Sequence, residues 1–128
     1  MRKQKIHNEY ILSSASETIL WRAISTAHGL QDWFADKVDI THRHCTFQWG
    51  KNETRCANII EADNGKYIRL QWDDEDEHMC FFELKLSRAE LTNDLLLEVT
   101  DYVEPGEEEE QKELWDTQIG TLCRVYGA

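Results

Sequence analysis

EEEEQKELWDTQIGTLCRV, residues 107–125, sets Trp115, Ile119 and Leu122, and just beyond them Tyr126, at intervals of four, three and four. An α-helix turns once every 3.6 residues, so this spacing draws one apolar stripe along about five turns. The four glutamates at 107–110 crowd its first turn, where the helix dipole favours carboxylates. Pro105-Gly106 precedes it as a stop to whatever comes before. Gly120 inside it costs about 1 kcal/mol relative to Ala, and the expectation is that the helix backbone there approaches another surface closely. A helix with a single apolar stripe needs a partner layer, and the stretch upstream supplies one.

Working back from Pro105, the chain reads as strands. Asp94–Tyr102, Met79–Ser87, Lys66–Trp72, Thr54–Ala62, Cys45–Trp49 and Lys37–Thr41 are short alternating runs. Asp63-Asn64-Gly65 separates two of them, and Asn-Gly is a hairpin signal because both residues tolerate positive φ. His42-Arg43-His44 reads as a second turn. One apolar face is legible in most strands: Val38 and Ile40; Phe47 and Trp49; Ile68, Leu70 and Trp72; Phe82, Leu84 and Leu86; Leu95, Leu97 and Val99. Strands joined by hairpins, each with one apolar face, make an antiparallel sheet covered on one side. Farther upstream lies a strand over Lys5–Leu12. Ser14-Ala15-Ser16-Glu17 fits a capping box for a short helix to about Ile24, and Ser25-Thr26 starts a second short turn ending near Gly29. The expected class is α+β: a curved antiparallel sheet of about seven strands, a long C-terminal helix, and two short helices after strand one.

Size and composition agree. At 128 residues the chain reads as one domain, residues 1–128, with five Trp to fill a core and no need of disulfides or metals to hold it. Its 25 acidic against 14 basic side chains give a net charge of −11. Phosphate backbones and anionic membranes would repel such a surface, so no nucleic-acid or membrane partner is expected. Cys45, Cys56, Cys80 and Cys123 form no CxxC pair and read as reduced thiols. With no signal-peptide run and no span of about 20 apolar residues, the expected location is the cytoplasm.

The segment Gly29-Leu30-x-x-Trp33-Phe34-Ala35-Asp36 after the paired short helices, with the closing Trp115–Ala128 helix ending in Tyr126-Gly127-Ala128, resembles the START-like (SRPBCC) superfamily. It is most similar there to the branch of heat-shock chaperone ATPase activators. The resemblance covers nearly the whole chain and implies a helix-grip fold. That superfamily includes lipid-transfer domains, polyketide cyclases and adaptors, so the resemblance implies a fold more firmly than a function.

Three function classes follow. The first is a non-enzymatic domain that binds a small hydrophobic ligand between sheet and C-terminal helix. Trp33, Phe34, Phe47, Trp49, Trp72, Phe82, Trp115, Ile119 and Leu122 are the expected lining, with Asn8 and Asn58 as polar partners. The same rings could instead fill the space solid. The second, which the resemblance implies, is a chaperone-activator-like domain docking a protein partner through its surface. The third is an enzyme, disfavoured because two amides cannot serve as a general base. No catalytic residue, cofactor or metal is expected: His42-x-His44-Cys45 lies at a turn without an acidic or Cys partner at ligand-like spacing. The acidic runs 73–77 and 104–110 are expected at one end of the fold, as solvated loops or as a docking pole. Phe81, Leu96 and Tyr102, facing outward, offer a patch for a homodimer.

Overall fold

The computed structural model describes residues 2–12 and 15–127. The element order is β1 (Gln4–Ile11), α1 (Glu17–Ser25), α2 (Ala27–Gln31), β2 (Lys37–Thr41), β3 (His44–Trp49), β4 (Glu53–Asp63), β5 (Tyr67–Trp72), β6 (Phe82–Arg88), β7 (Leu95–Val103) and α3 (Glu108–Tyr126). The strands form a seven-stranded antiparallel sheet in the order β1-β7-β6-β5-β4-β3-β2. β1 therefore crosses to pair with β7, Asn8 opposite Val99, and the remaining strands pair as successive hairpins. This is the α+β arrangement that the periodicities predict, and the helix-grip fold that the resemblance implies.

Local chemistry fixes the helix ends. Ser14, expected in a capping box, lies outside the described residues. Ser16 caps α1, its hydroxyl accepting from the Ile19 amide. Thr26 ends α1 and caps α2, accepting from the Gly29 amide at 3.0 Å. Gly127 closes α3 in the left-handed region, φ 69°, where a Cβ would be penalised. The β2–β3 turn is tighter than the sequence suggests. Only His42 and Arg43 occupy it, both at positive φ, and His44 is already the first residue of β3.

The stripe on α3 lies against the sheet: Trp115, Ile119 and Leu122 are buried with Phe47, Leu70, Phe82, Leu84, Leu97 and Val99 in one core. Tyr126 completes the stripe by donating its hydroxyl to Asp32 at 2.7 Å. Gly120 corrects an expectation. A Cβ there would meet nothing within 4 Å, so no close approach of another surface explains it.

A β-bulge between Ile59 and Glu61 shifts the β4–β5 register and decides which β4 residues face inward. Ala57 pairs with inward Cys45, and Arg55 with inward Phe47. The inward set is thus Glu53, Arg55, Ala57 and Ile59, while Cys56 and Asn58 share the outer face with Thr46 and His44.

Candidate functional site

Phe34 sits where the two layers part. It follows α2, is 5% exposed, and is ringed by Phe47, Trp49, Phe82 and Trp115 at centroid distances of 5.1 to 5.9 Å. Its carbonyl accepts from the Trp49 indole at 2.8 Å and from the Gln118 amide at 3.1 Å, tying α2, β3 and α3 together. Trp72 stacks on Phe82 at 4.9 Å. Between these rings and α3 the layers leave a cavity of about 250 Å³, lined by Phe34, Trp49, Glu53, Arg55, Trp72, Asp101, Gln111, Leu114, Trp115 and Gln118. An outer recess of about 240 Å³ shares Arg55, Trp72, Asp101 and Gln111 with it and adds Lys3, Asp74, Glu75, Glu104 and Glu107. The two acidic runs do meet at one end of the fold, and they meet at the mouth of the cavity.

Of the residues expected to line a cavity, Phe34, Trp49, Trp72 and Trp115 do so. Phe47, Phe82, Ile119 and Leu122 are buried in the packed core behind it. Trp33 is turned away, donating its indole N–H to the Ala23 carbonyl at 2.8 Å. Asn8 shares the inward face of β1 with Ile6 and Tyr10, and its Nδ2 is buried without a partner among the described residues. Asn58 corrects an expectation outright: the register places it on the outer face, where its amide donates to Asp73 at 2.9 Å.

The polar groups of the cavity are ones the sequence reading passed over. Asp101 is 7% exposed. Its Oδ2 accepts from the Trp115 indole and the Gln111 amide, each at 2.9 Å, and its Oδ1 from the Tyr102 amide at 2.8 Å. Arg55 lies 3.8 Å over the Trp72 ring and donates to Asp74 at 2.9 Å, a cation–π stack that holds the guanidinium across the opening. A signal for Asp101 was present: it continues the inward alternation Leu95, Leu97, Val99 with a carboxylate. For Arg55 there was none, because the bulge hides the true face of β4.

Burial raises the Asp101 pKa above its ordinary 3.8, against the opposing pull of its three donors. A carboxylate so raised binds its proton more tightly in the folded than in the unfolded chain. Its contribution to stability therefore falls as pH climbs from the ordinary value through the raised one. In urea unfolding of wild type and Asp101→Asn between about pH 4 and 7, the stability of wild type relative to the variant should shrink with rising pH. A gap constant across that range would contradict this account of the site.

The chain matches the START-like superfamily domain over residues 1–128. It belongs to the START-like superfamily. BfR322 from Bacteroides fragilis, solved in solution, is 47% identical over 98% of this chain and 92% of its own, with a TM-score of 0.68. The Aha1 dimer from Colwellia psychrerythraea matches 96% of this chain and 93% of its own at 12% identity, TM-score 0.71. DynU16, a protein of the dynemicin biosynthetic locus, matches 94% of this chain but only 46% of its own length at 15% identity, TM-score 0.74. At such identities the last two share the START-like fold and nothing finer. No protein of curated function matches the chain. No helix among the described residues is long and apolar enough to cross a membrane.

Proposed function

We propose that this START-like domain binds a small, largely apolar molecule in the cleft between the β3–β5 part of the sheet and α3. The observation that carries the reading is the cavity of about 250 Å³ walled by Phe34, Trp49, Trp72 and Trp115, with Arg55, Asp101 and Gln111 where it meets the outer recess. Flat apolar walls with a few convergent polar groups are the usual build of a small-molecule site. Among the described residues the Arg55 guanidinium makes one hydrogen bond, to Asp74, so most of its five donors remain for a ligand.

Size and charge narrow the ligand. The volume lies below the ~300–1,000 Å³ of sites for drug-sized molecules, which suits one or two rings rather than a long-chain lipid. Cavity and recess together present the carboxylates of Glu53, Asp74, Glu75, Asp101, Glu104 and Glu107 against two cations, Lys3 and Arg55. An anionic ligand would meet net repulsion at the mouth, whereas a neutral or cationic one would not.

A panel matched in size and varied in charge tests this reading: 3-phenylpropanol, 3-phenylpropylamine and 3-phenylpropionate, titrated calorimetrically into the whole chain. The alcohol and the amine should bind, and the carboxylate about tenfold more weakly, a difference of about 1.4 kcal/mol. Tighter binding of the carboxylate would overturn the charge argument. Failure of all three at millimolar concentration would count against the cleft as a ligand site.

A further inference from the structure

On the outer face of the sheet, directly behind the cleft, three metal-ligating side chains converge, one from β3, one from β4 and one from the residue that follows β5. A ring nitrogen of His44, the Sγ of Cys56 and a carboxylate oxygen of Asp73 all lie within 4.8 Å of one another. Spacing along the chain conceals them, because 12 and 17 positions separate residues that strand pairing makes neighbours. Thr46 stands opposite Cys56 in the β3–β4 pair. The Asp73 amide donates to the Cys56 carbonyl at 2.9 Å, which extends the β4–β5 ladder to that pair. The sequence expectation that His44 has no acidic or Cys partner is therefore corrected by the fold, and His44 itself is a strand residue rather than part of the turn.

We propose that His44, Cys56 and Asp73 bind a single divalent transition-metal ion of the zinc class. With bonds of about 2.0–2.3 Å, tetrahedral ligand atoms stand roughly 3.3–3.8 Å apart. His44 Nε2 and Asp73 Oδ2 are 3.1 Å apart, and all three donors lie within 4.8 Å of one another, about an ångström from that spacing. The mixed nitrogen, sulfur and oxygen set selects a borderline-soft ion over calcium or magnesium, which take oxygen ligands. Three protein ligands leave the fourth position to water, and His44 and Asp73 are exposed enough to admit it.

A supporting shell is in place. The Asn58 amide donates to Asp73 Oδ1 at 2.9 Å, which leaves Oδ2 for the ion. The Thr46 hydroxyl lies 3.6 Å from Cys56 Sγ and is placed to donate to a thiolate. Such second-layer bonds orient ligands and raise affinity. On binding, the Cys56 thiol gives its proton to solvent as the sulfur–metal bond forms. Because Arg55 and Trp72 precede Cys56 and Asp73 in sequence and face inward, the ion pins β4 to β5 at the level of the Arg55–Trp72 stack.

The test is Co²⁺ titration of the whole chain, tag-free and reduced, followed by absorption. Tetrahedral thiolate ligation predicts intense visible d–d bands and a near-ultraviolet sulfur-to-metal charge-transfer band, both bleached by Zn²⁺. Cys56→Ser should remove the charge-transfer band. Asp73→Asn and His44→Ala should each weaken binding at least tenfold, with unchanged circular dichroism. The cluster of His7, Glu9 and Glu98 has no sulfur and cannot produce that band. A titration without the band, or a band that survives Cys56→Ser and so arises at another of the four cysteines, would overturn the assignment.

Discussion

Trp115→Ala is expected to lower the unfolding free energy by about 3–5 kcal/mol, the usual cost of deleting a buried aromatic ring. Trp115 is 3% exposed. It stacks on Phe34 at 5.9 Å and donates its indole N–H to Asp101, so the truncation opens a void and also strips a donor from a buried carboxylate. Domains of this size have about 5–15 kcal/mol in total, so the variant should sit near the edge of folding. Trp115→Phe separates the two losses. An aromatic ring stays, while the N–H and the pyrrole portion of the indole go, at an expected cost of about 1–3 kcal/mol. Urea unfolding of both variants decides the matter. Equal losses would mean that ring volume at this position contributes little, and the account of α3 as the clamp of the core would be wrong.

Gly29→Ala should be nearly as damaging, although it adds a single methyl group. A Cβ at Gly29 would stand 2.1 Å from the Arg22 carbonyl oxygen and 2.6 Å from the Ala23 Cα. Both are backbone atoms of α1, which no rotamer change can move aside. The α1–α2 corner must open, and with it the placement of Leu30, Trp33 and Phe34 in the core. An expected loss of about 3 kcal/mol lies at the top of the range for overpacking. Gly120→Ala is the matched control, since the same methyl meets open space on a helix and should stabilise by about 1 kcal/mol. Opposite signs at the two positions are the expected result in thermal unfolding. A neutral Gly29→Ala would show that the corner is not packed as described.

Gly29 also shows what the sequence carried. The pattern from Gly29 to Asp36 marked the fold because only a glycine fits the crossing of two short helices, and that demand is local. The α3 stripe, the Asn64-Gly65 hairpin and the inward faces of β5, β6 and β7 were legible for the same reason: each is a short-range periodicity or turn preference. The misses share a different cause. Asn58 was assigned inward because Cys56 and Ile60 flank it in alternation, but the bulge after Ile59 is visible only in strand pairing, and it exchanges the faces of Arg55 and Asn58. Trp33 looked like a wall of the cavity, yet its indole N–H reaches the Ala23 carbonyl and turns it into the α1–α2 corner. Asp101 could have been found, because a carboxylate in register with Leu95, Leu97 and Val99 has to be buried and hydrogen-bonded. The convergence of His44, Cys56 and Asp73 could not, since cross-strand neighbours follow from topology rather than spacing. The Phe81 and Tyr102 rings lie edge to face at 5.2 Å with Arg69 over Phe81 at 4.3 Å, and both rings stay part-exposed on the outer face.

The central claim is that a small ligand enters beside α3, and the five tryptophans make it directly readable in the indole N–H resonances of a ¹⁵N-labelled sample. Trp49, Trp72 and Trp115 line the cavity. Trp33 is bonded to Ala23 in the corner, and Trp21 to Asn64 at the β4–β5 hairpin. Titration with 3-phenylpropylamine should shift the signals of Trp49, Trp72 and Trp115 together, saturably and with one dissociation constant, while Trp21 and Trp33 stay in place. Shifts confined to Trp21 or Trp33, or no saturable shift in any of the five, would contradict it.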